Sequence, residues 1–408
     1  MQRALAMGVG IGIASASIGT ASACTSFTLR GNDGGRVYGR TMEFAQPLNS
    51  EAVLIQRGTL IQGAGPSGQE GSGLSWTSRY AVIGLNAVGV NDALVDGMNE
   101  KGMAGGLLYF EGYAQFQNVP ANQSDRSIAS WQLLAYVLSN FESIAEVKQS
   151  LPSVLVNGSV LQAFGRTVPI HMILHDREGN SLSVEYIKGE LNMLDNPTNV
   201  YTNSPPLPYQ LIAAGNYGNL NAMPPAEITV NGLALPPVSA GAGLLGLPGD
   251  FLSTSRFIKA LTFSRNAPTN LSSAEQVGTA FHLLNQFDLP PGSQGIPAGG
   301  GFGGGGSKAT YEITEWSVVS DQKNGTYSIK TFENPDIRQM RFADMPLSGG
   351  AIKVMPLDQP QQETPGARRH QGARTALPPA PRRPLSLNQP PRTSRTRPQM
   401  LQRCLVHQ

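Results

Sequence analysis

Cys24 is the residue of this 408-residue sequence best placed to do chemistry. It follows Ala21-Ser22-Ala23, a small-x-small pattern of the kind signal peptidase reads. Upstream lie a single charge at Arg3 and an apolar, small-residue stretch from Ala4 to about Ile18. That stretch falls short of the roughly 18 strongly apolar residues a spanning helix needs. Residues 1–23 therefore read as a cleaved export signal, and Cys24 as the first residue of a periplasmic or secreted product. A terminal cysteine carries a nucleophile and an amine on one residue. The amine titrates near about 7.7–8.0 and the thiol near about 8.5, so the amine can take the thiol proton and later hand it to a leaving group. No histidine is needed. The five histidines show no metal spacing of the HExxH kind, and His171 and His175 read as structural residues two pleats apart on a strand. A second reading of Cys24 stays open on local sequence. Bacterial lipoproteins also place Cys directly after a signal and attach diacylglycerol to it, although they usually carry Leu where this chain has Ala21.

The elements that must position Cys24 follow at once. Cys24-Thr25-Ser26-Phe27-Thr28-Leu29 alternates as a strand, and Asn32-Asp33-Gly34-Gly35 is a strong hairpin turn. The return strand, Val37 to Phe44, brings Arg40 and Glu43 back alongside Cys24. A guanidinium near a thiol favours thiolate, and a carboxylate can hold an ammonium. The same two residues can equally form a plain cross-strand ion pair. Helical signals lie at Ser127–Asn140, from Ser143 with Glu146 three later, at Ser255–Phe263, and from Ser272 with Glu275 three later. Strands are expected at Ile170–Leu174, Ser181–Tyr186, Ile313–Ser320 and Thr326–Thr331. Blocks of strands alternating with separate helices imply α+β layers rather than a regular βαβ wind.

Composition bounds the rest. The 47 Gly and 30 Pro exclude a coiled coil or long helical bundle, and the glycines show no collagen period. The net charge of +2 hides a split: residues 360–408 hold nine Arg and nine Pro against a single acid, Glu363. A tail of that kind cannot bury an apolar face and is expected to be disordered. The basic balance is therefore no argument for nucleic-acid binding by the globule. Residues 288–308, with Pro290-Pro291 and a glycine run, read as an insertion loop; no P-loop context surrounds them. Of the two cysteines, Cys404 lies in the tail, so no disulfide scaffold is expected.

With those pieces in order, the chain resembles the choloylglycine hydrolase and penicillin V acylase family of N-terminal-nucleophile hydrolases. The motifs that carry the resemblance are Cys24-Thr25-Ser26-Phe27, Gly39-Arg40-Thr41-Met42-Glu43, Asp96-Gly97-Met98-Asn99-Glu100-Lys101-Gly102, Tyr201-Thr202-Asn203-Ser204-Pro205, Gly249-Asp250 leading to Ser255-Arg256-Phe257, and Thr314-Glu315-Trp316. Each is weak singly; their order and spacing make the match. The resemblance implies a four-layer αββα sandwich over residues 24–350, hydrolysis of a linear non-peptide amide through a thioester, no cofactor or metal, and a homotetramer. It implies catalytic roles for Cys24, Arg40, Glu43, Asn203 and Arg256, and substrate contacts for Met42 and Tyr109. Penicillin V, a conjugated bile salt or an N-acyl-homoserine lactone would each suit such a site as the small-molecule substrate. There are two departures. Glu43 stands where the family often has Asp, and Leu108 falls where many members carry an Asn or Tyr side chain.

Overall fold

A computed structural model describes residues 23–298 and 307–357. The expected export signal, apart from Ala23, the centre of the Gly-rich loop and the basic tail lie outside the described residues. The first hairpin forms as its alternation predicts: β1 (Thr25–Arg30) pairs antiparallel with β2 (Arg36–Phe44), Thr25 opposite Thr41 and Ser26 opposite Arg40. Gly34 makes the turn at φ +80°, a conformation open to glycine.

Eleven further strands complete two antiparallel sheets. In chain order they are β3 (Ala52–Ile55), β4 (Val82–Ala87), β5 (Val90–Asn99), β6 (Ala104–Tyr109), β7 (Ile170–His175), β8 (Ser181–Ile187), β9 (Glu190–Asp195), β10 (Ile313–Asp321), β11 (Thr326–Thr331), β12 (Arg338–Arg341) and β13 (Ile352–Met355). The five-stranded sheet runs β1-β2-β10-β11-β12. The eight-stranded sheet runs β9-β8-β7-β6-β5-β4-β3-β13. Helices α1 (Leu133–Asn140) and α2 (Ile144–Ser150) cover the large sheet, while α4 (Ser253–Arg265) and α5 (Ser273–Leu284) cover the small one. Helix α3 (Leu207–Ala214) follows the Asn203 loop. The result is the four-layer αββα sandwich. One apolar core, with Phe27, Tyr38, Leu108 and Trp316, fills the space between the sheets and under α5, and a second, with Leu134, Val137 and Met172, packs α1 and α2 onto the large sheet.

The helix starts follow local chemistry. Ser143 Oγ accepts from Glu146 N at 3.2 Å, and Ser272 forms a reciprocal capping box with Glu275. The helix expected from Ser127 begins instead at Leu133. Ser127–Ala129 is drawn into parallel pairing with Leu155–Asn157, which leaves Ser130–Gln132 a single tight turn. The globule also runs past residue 350: β13 adds an edge to the large sheet beside β3. The four residues Ile352–Met355 are too few to announce a strand by periodicity. Among the described residues no helix is long and apolar enough to cross a membrane.

Candidate active site

Alternation along β1 and β2 sorts the chemistry onto two faces. Cys24, Arg40 and Met42 project between the sheets; Thr25, Thr41 and Glu43 project toward α4 and α5. On the inner face the Cys24 sulfur lies 3.7 Å from Arg40 Nη2 and 3.8 Å from Met42 Sδ. Arg40 is fully buried and anchored in the opposite sheet. It donates to the carbonyls of Val95 and Leu107, and its Nη1 stands 3.4 Å from Asp96 Oδ2. The hydroxyls of Tyr38 and Tyr327 donate to the two Asp96 oxygens at 2.9 and 2.8 Å. Burial pushes Asp96 up to about 6 against the pull of Arg40 and the two hydroxyls. Burial also works against the Arg40 charge, but Cys24, Tyr38 and Asp96 outweigh it and raise its proton affinity above the usual value.

The backbone nitrogen of Cys24 has its own partner. It donates to Asn203 Oδ1 at 2.6 Å, and Asn203 Nδ2 donates to the Tyr109 carbonyl at 3.0 Å. Asn203 reaches this place because Tyr201 extends β1: Ser26 and Tyr201 exchange backbone hydrogen bonds at 2.8 and 3.0 Å. Tyr201 is held from beneath. Its hydroxyl lies 2.8 Å from His171 Nδ1 and donates to Glu185 Oε1 at 2.8 Å, and the same carboxylate oxygen accepts from Leu207 N at the start of α3. His171 thus supports the strand that delivers Asn203. From α4, Arg256 donates to the Cys24 carbonyl, to Thr25 Oγ1 at 2.8 Å and to Asn203 Oδ1 at 2.8 Å.

Glu43 is not on the thiol side. It faces Arg256 and accepts from Thr314 Oγ1 at 3.3 Å, and burial pushes its carboxyl up to about 8 although Arg256 pulls it down. Met42 and Tyr109 line a cleft of about 570 Å³ that opens over Cys24, with Phe44, Trp131, Phe164 and Ile170 around it. Leu108 is fully buried in the inter-sheet core and offers no side-chain donor to the site. Several participants carried no role in the sequence reading. Asp96 sits inside one of the quoted motifs, and an acid in the apolar strand Ala93-Leu94-Val95-Asp96 is a signal that could have found it. Gly106 shows no such signal, nor does Glu312, whose buried carboxyl accepts from the Ala23 backbone N–H.

Gly106 faces the Arg40–Asp96 pair. A Cβ there would lie 2.5 Å from Arg40 Nη1, 2.9 Å from Tyr38 Oη and 3.0 Å from Asp96 Oδ2. The guanidinium is pinned at both nitrogens and cannot step aside freely. Gly106→Ala is expected to lose about 1–3 kcal/mol in denaturant titration, as overpacked cores do, and to weaken the hold of Arg40 on the sulfur, seen as slower thiol alkylation. A second expectation concerns pH. The folded chain keeps the Glu43 proton up to about 8, whereas the unfolded chain releases it near its ordinary value of 4.5. The native state therefore binds more protons across that window, and stability falls as pH rises through it. Glu43→Gln should lose less of its urea midpoint between pH 5 and pH 8 than the parent; an equal loss would show that Glu43 does not titrate this way.

A model of linear amide C–N hydrolases, choloylglycine hydrolase family, matches residues 24–355. The chain is 28% identical over 334 residues to the bile salt hydrolase/transferase of Clostridium perfringens, covering 81% of this chain and 96% of that protein. It is 24% identical over 360 residues to the penicillin V acylase of Pectobacterium atrosepticum, covering 81% and 85%. The crystal structure of a variant of the conjugated bile acid hydrolase from Clostridium perfringens matches with a TM-score of 0.71 at 25% identity, covering 84% of this chain and all of that one. The family-model match over residues 24–355, the shared layer architecture and the buried cysteine–arginine–asparagine cluster lead to one assignment: the chain belongs to the choloylglycine hydrolase family and is a linear amide C–N hydrolase.

Proposed function

We propose that removal of residues 1–23 during export makes Cys24 the N-terminal nucleophile of an amidase selective for apolar acyl groups. The observation that carries this reading is the separation of the two ends of Cys24, nitrogen on Asn203 and sulfur beside Arg40, at the floor of the cleft. In the reaction the thiol proton passes to the terminal amine as Sγ bonds to the amide carbon. Collapse of the tetrahedral species breaks the C–N bond, and the ammonium returns its proton to the departing amine. Water then adds to the thioester, expels the sulfur, and releases the carboxylic acid. Arg40 stabilises the sulfur as thiolate, Arg256 orders the Cys24 carbonyl, and Asn203 fixes the amine. One Asn203 amide proton goes to the Tyr109 carbonyl; the other is left for the developing oxyanion, where a donor is worth about 2.7–4 kcal/mol.

The cleft favours some acyl groups over others. Apart from Cys24 and Tyr109 its lining residues carry only apolar side chains, with the single indole N–H of Trp131. A buried hydroxyl without a partner costs about 1–3 kcal/mol. Phenoxyacetyl and unbranched fatty acyl groups bring no hydroxyl into the cleft, whereas a cholyl group brings several. Penicillin V and a long-chain N-acyl-homoserine lactone are expected to exceed glycocholate in kcat/KM, and the reverse order would overturn the apolar-acyl reading.

N-terminal sequencing and intact mass of the exported product test the nucleophile. The expected result is an unblocked chain beginning at Cys24 that Cys24→Ser inactivates by at least about a hundredfold while keeping its thermal midpoint. A diacylglycerol adduct, another first residue, or near-parental activity in Cys24→Ser would overturn it.

A further inference from the structure

Behind Cys24, on the α4 side of the small sheet, two buried carboxyls lie in the field of one arginine. Glu43 comes from β2, Glu312 from the residue just before β10, and Arg256 from α4. Arg256 and Glu43 are fully or almost fully buried, and Glu312 is 1% exposed. Glu312 is held rigidly. Its backbone N–H donates to the Gln294 carbonyl at 3.0 Å, and the Gln294 side-chain amide donates to Oε2. Its remaining partner is the backbone N–H of Ala23, itself 1% exposed. Burial pushes Glu312, like Glu43, up to about 8 in spite of Arg256.

One feature of this cluster is unexplained by a chain that keeps Ala23. Glu312 spends a buried carboxyl on an ordinary backbone amide, although burial works against its charge. That aim resolves if the cluster is built for a processed chain. Successive backbone nitrogens lie about 3 Å apart by covalent geometry, so a carboxylate that reaches Ala23 N is one short step from Cys24 N. Cutting the Ala23–Cys24 bond turns a neutral amide with one proton into an ammonium with three. Asn203 Oδ1 accepts one of them, and the new positive charge favours the ionised form of Glu312.

We infer that Glu312 is a positioning residue for the reaction, exchanging the Ala23 N–H for the Cys24 α-ammonium after processing and holding the amine over its own thiol. This rests on the reading of Cys24 as an N-terminal nucleophile. The charged and titratable groups around Glu312 are Arg256 on α4, Glu43 on β2 and Tyr109 on β6. Removing the Glu312 carboxylate takes a negative charge from beside the ammonium, which then gives up its proton at lower pH.

The test uses processed protein beginning at Cys24. In Glu312→Gln the acid limb of kcat/KM, and that of iodoacetamide inactivation, should both move to lower pH by about one unit or more, with a fall in kcat. A merely structural role would lower stability or kcat and leave both limbs where they are; that result overturns the inference. If Glu312→Gln does not fold, Glu312→Asp decides: a carboxylate one methylene short should move the limbs in the same direction by less, and parental limbs in folded Asp protein overturn the inference. Cys24→Ser is run beside them. Full activity there brings down the nucleophile reading and this inference with it, whereas an inactive Cys24→Ser with unmoved Glu312 limbs brings down the inference alone.

Discussion

The site depends on one buried guanidinium. Arg40 grows from the small sheet but spends its hydrogen bonds in the large one, on Val95, Leu107 and Asp96. Burying such a pair is costly, and removing one partner from it typically costs about 3–5 kcal/mol because the other is left charged in the core. The pair is therefore a poor way to gain stability and a good way to fix a register. With both sheets locked through Arg40 and with Tyr38 and Tyr327 satisfying Asp96, Nη2, held on the Leu107 carbonyl, faces the sulfurs of Cys24 and Met42. Gly106 belongs to the same device: the absence of a side chain on β6 is what lets the arginine cross.

The strand β2 then divides the work by its pleat. Its inner face, through Arg40 and Met42, surrounds the sulfur; its outer face, through Glu43, meets Arg256 and Glu312 beneath the backbone of Cys24. Thiol and backbone nitrogen of Cys24 thus sit in different surroundings, the sulfur beside Arg40 and the nitrogen on Asn203. A residue at the start of a central hairpin is well suited to this, because its side chain and its backbone nitrogen can leave in different directions.

Much of this was legible in the sequence, for reasons that differ by element. The hairpin and two of the helix starts rest on local chemistry: Asn32-Asp33-Gly34-Gly35, the Ser143–Glu146 spacing and the Ser272–Glu275 box specify their conformations within four residues. Register between β1 and β2 follows from that turn, so Arg40 fell near Cys24. Which face Glu43 takes was also implicit in the pleat, yet proximity along the strand masked it: neighbours in sequence point to opposite sides. Asp96, Gly106 and Glu312 come from strands far from Cys24 in the chain, and their roles arise only when sheet meets sheet. The first helix shows the opposite limit. Ser127–Ala129 is expected to open the helix whose apolar face begins at Trp131 but pairs with Leu155–Asn157, a tertiary contact that the local sequence does not announce.

Leu108 shows how the remaining architecture constrains the chemistry. It lies on the same face of β6 as Gly106 and is packed in the inter-sheet core, so it contributes volume where other members of the family offer a polar side chain. With that position apolar, the proposed reaction asks Asn203 both to hold the Cys24 nitrogen and to face the substrate carbonyl, which its two amide ends allow. The demand on Asn203 accounts for its support: Tyr201, two residues earlier, is pinned by the Ser26 bridge, His171, Ser183 and Glu185, and Gln210 Nε2 donates to the Asn203 carbonyl at 3.1 Å. A single side chain asked to do two jobs tolerates little rotation, and the rigidity of the strand and helix around it is the physical counterpart of the donor that Leu108 does not supply.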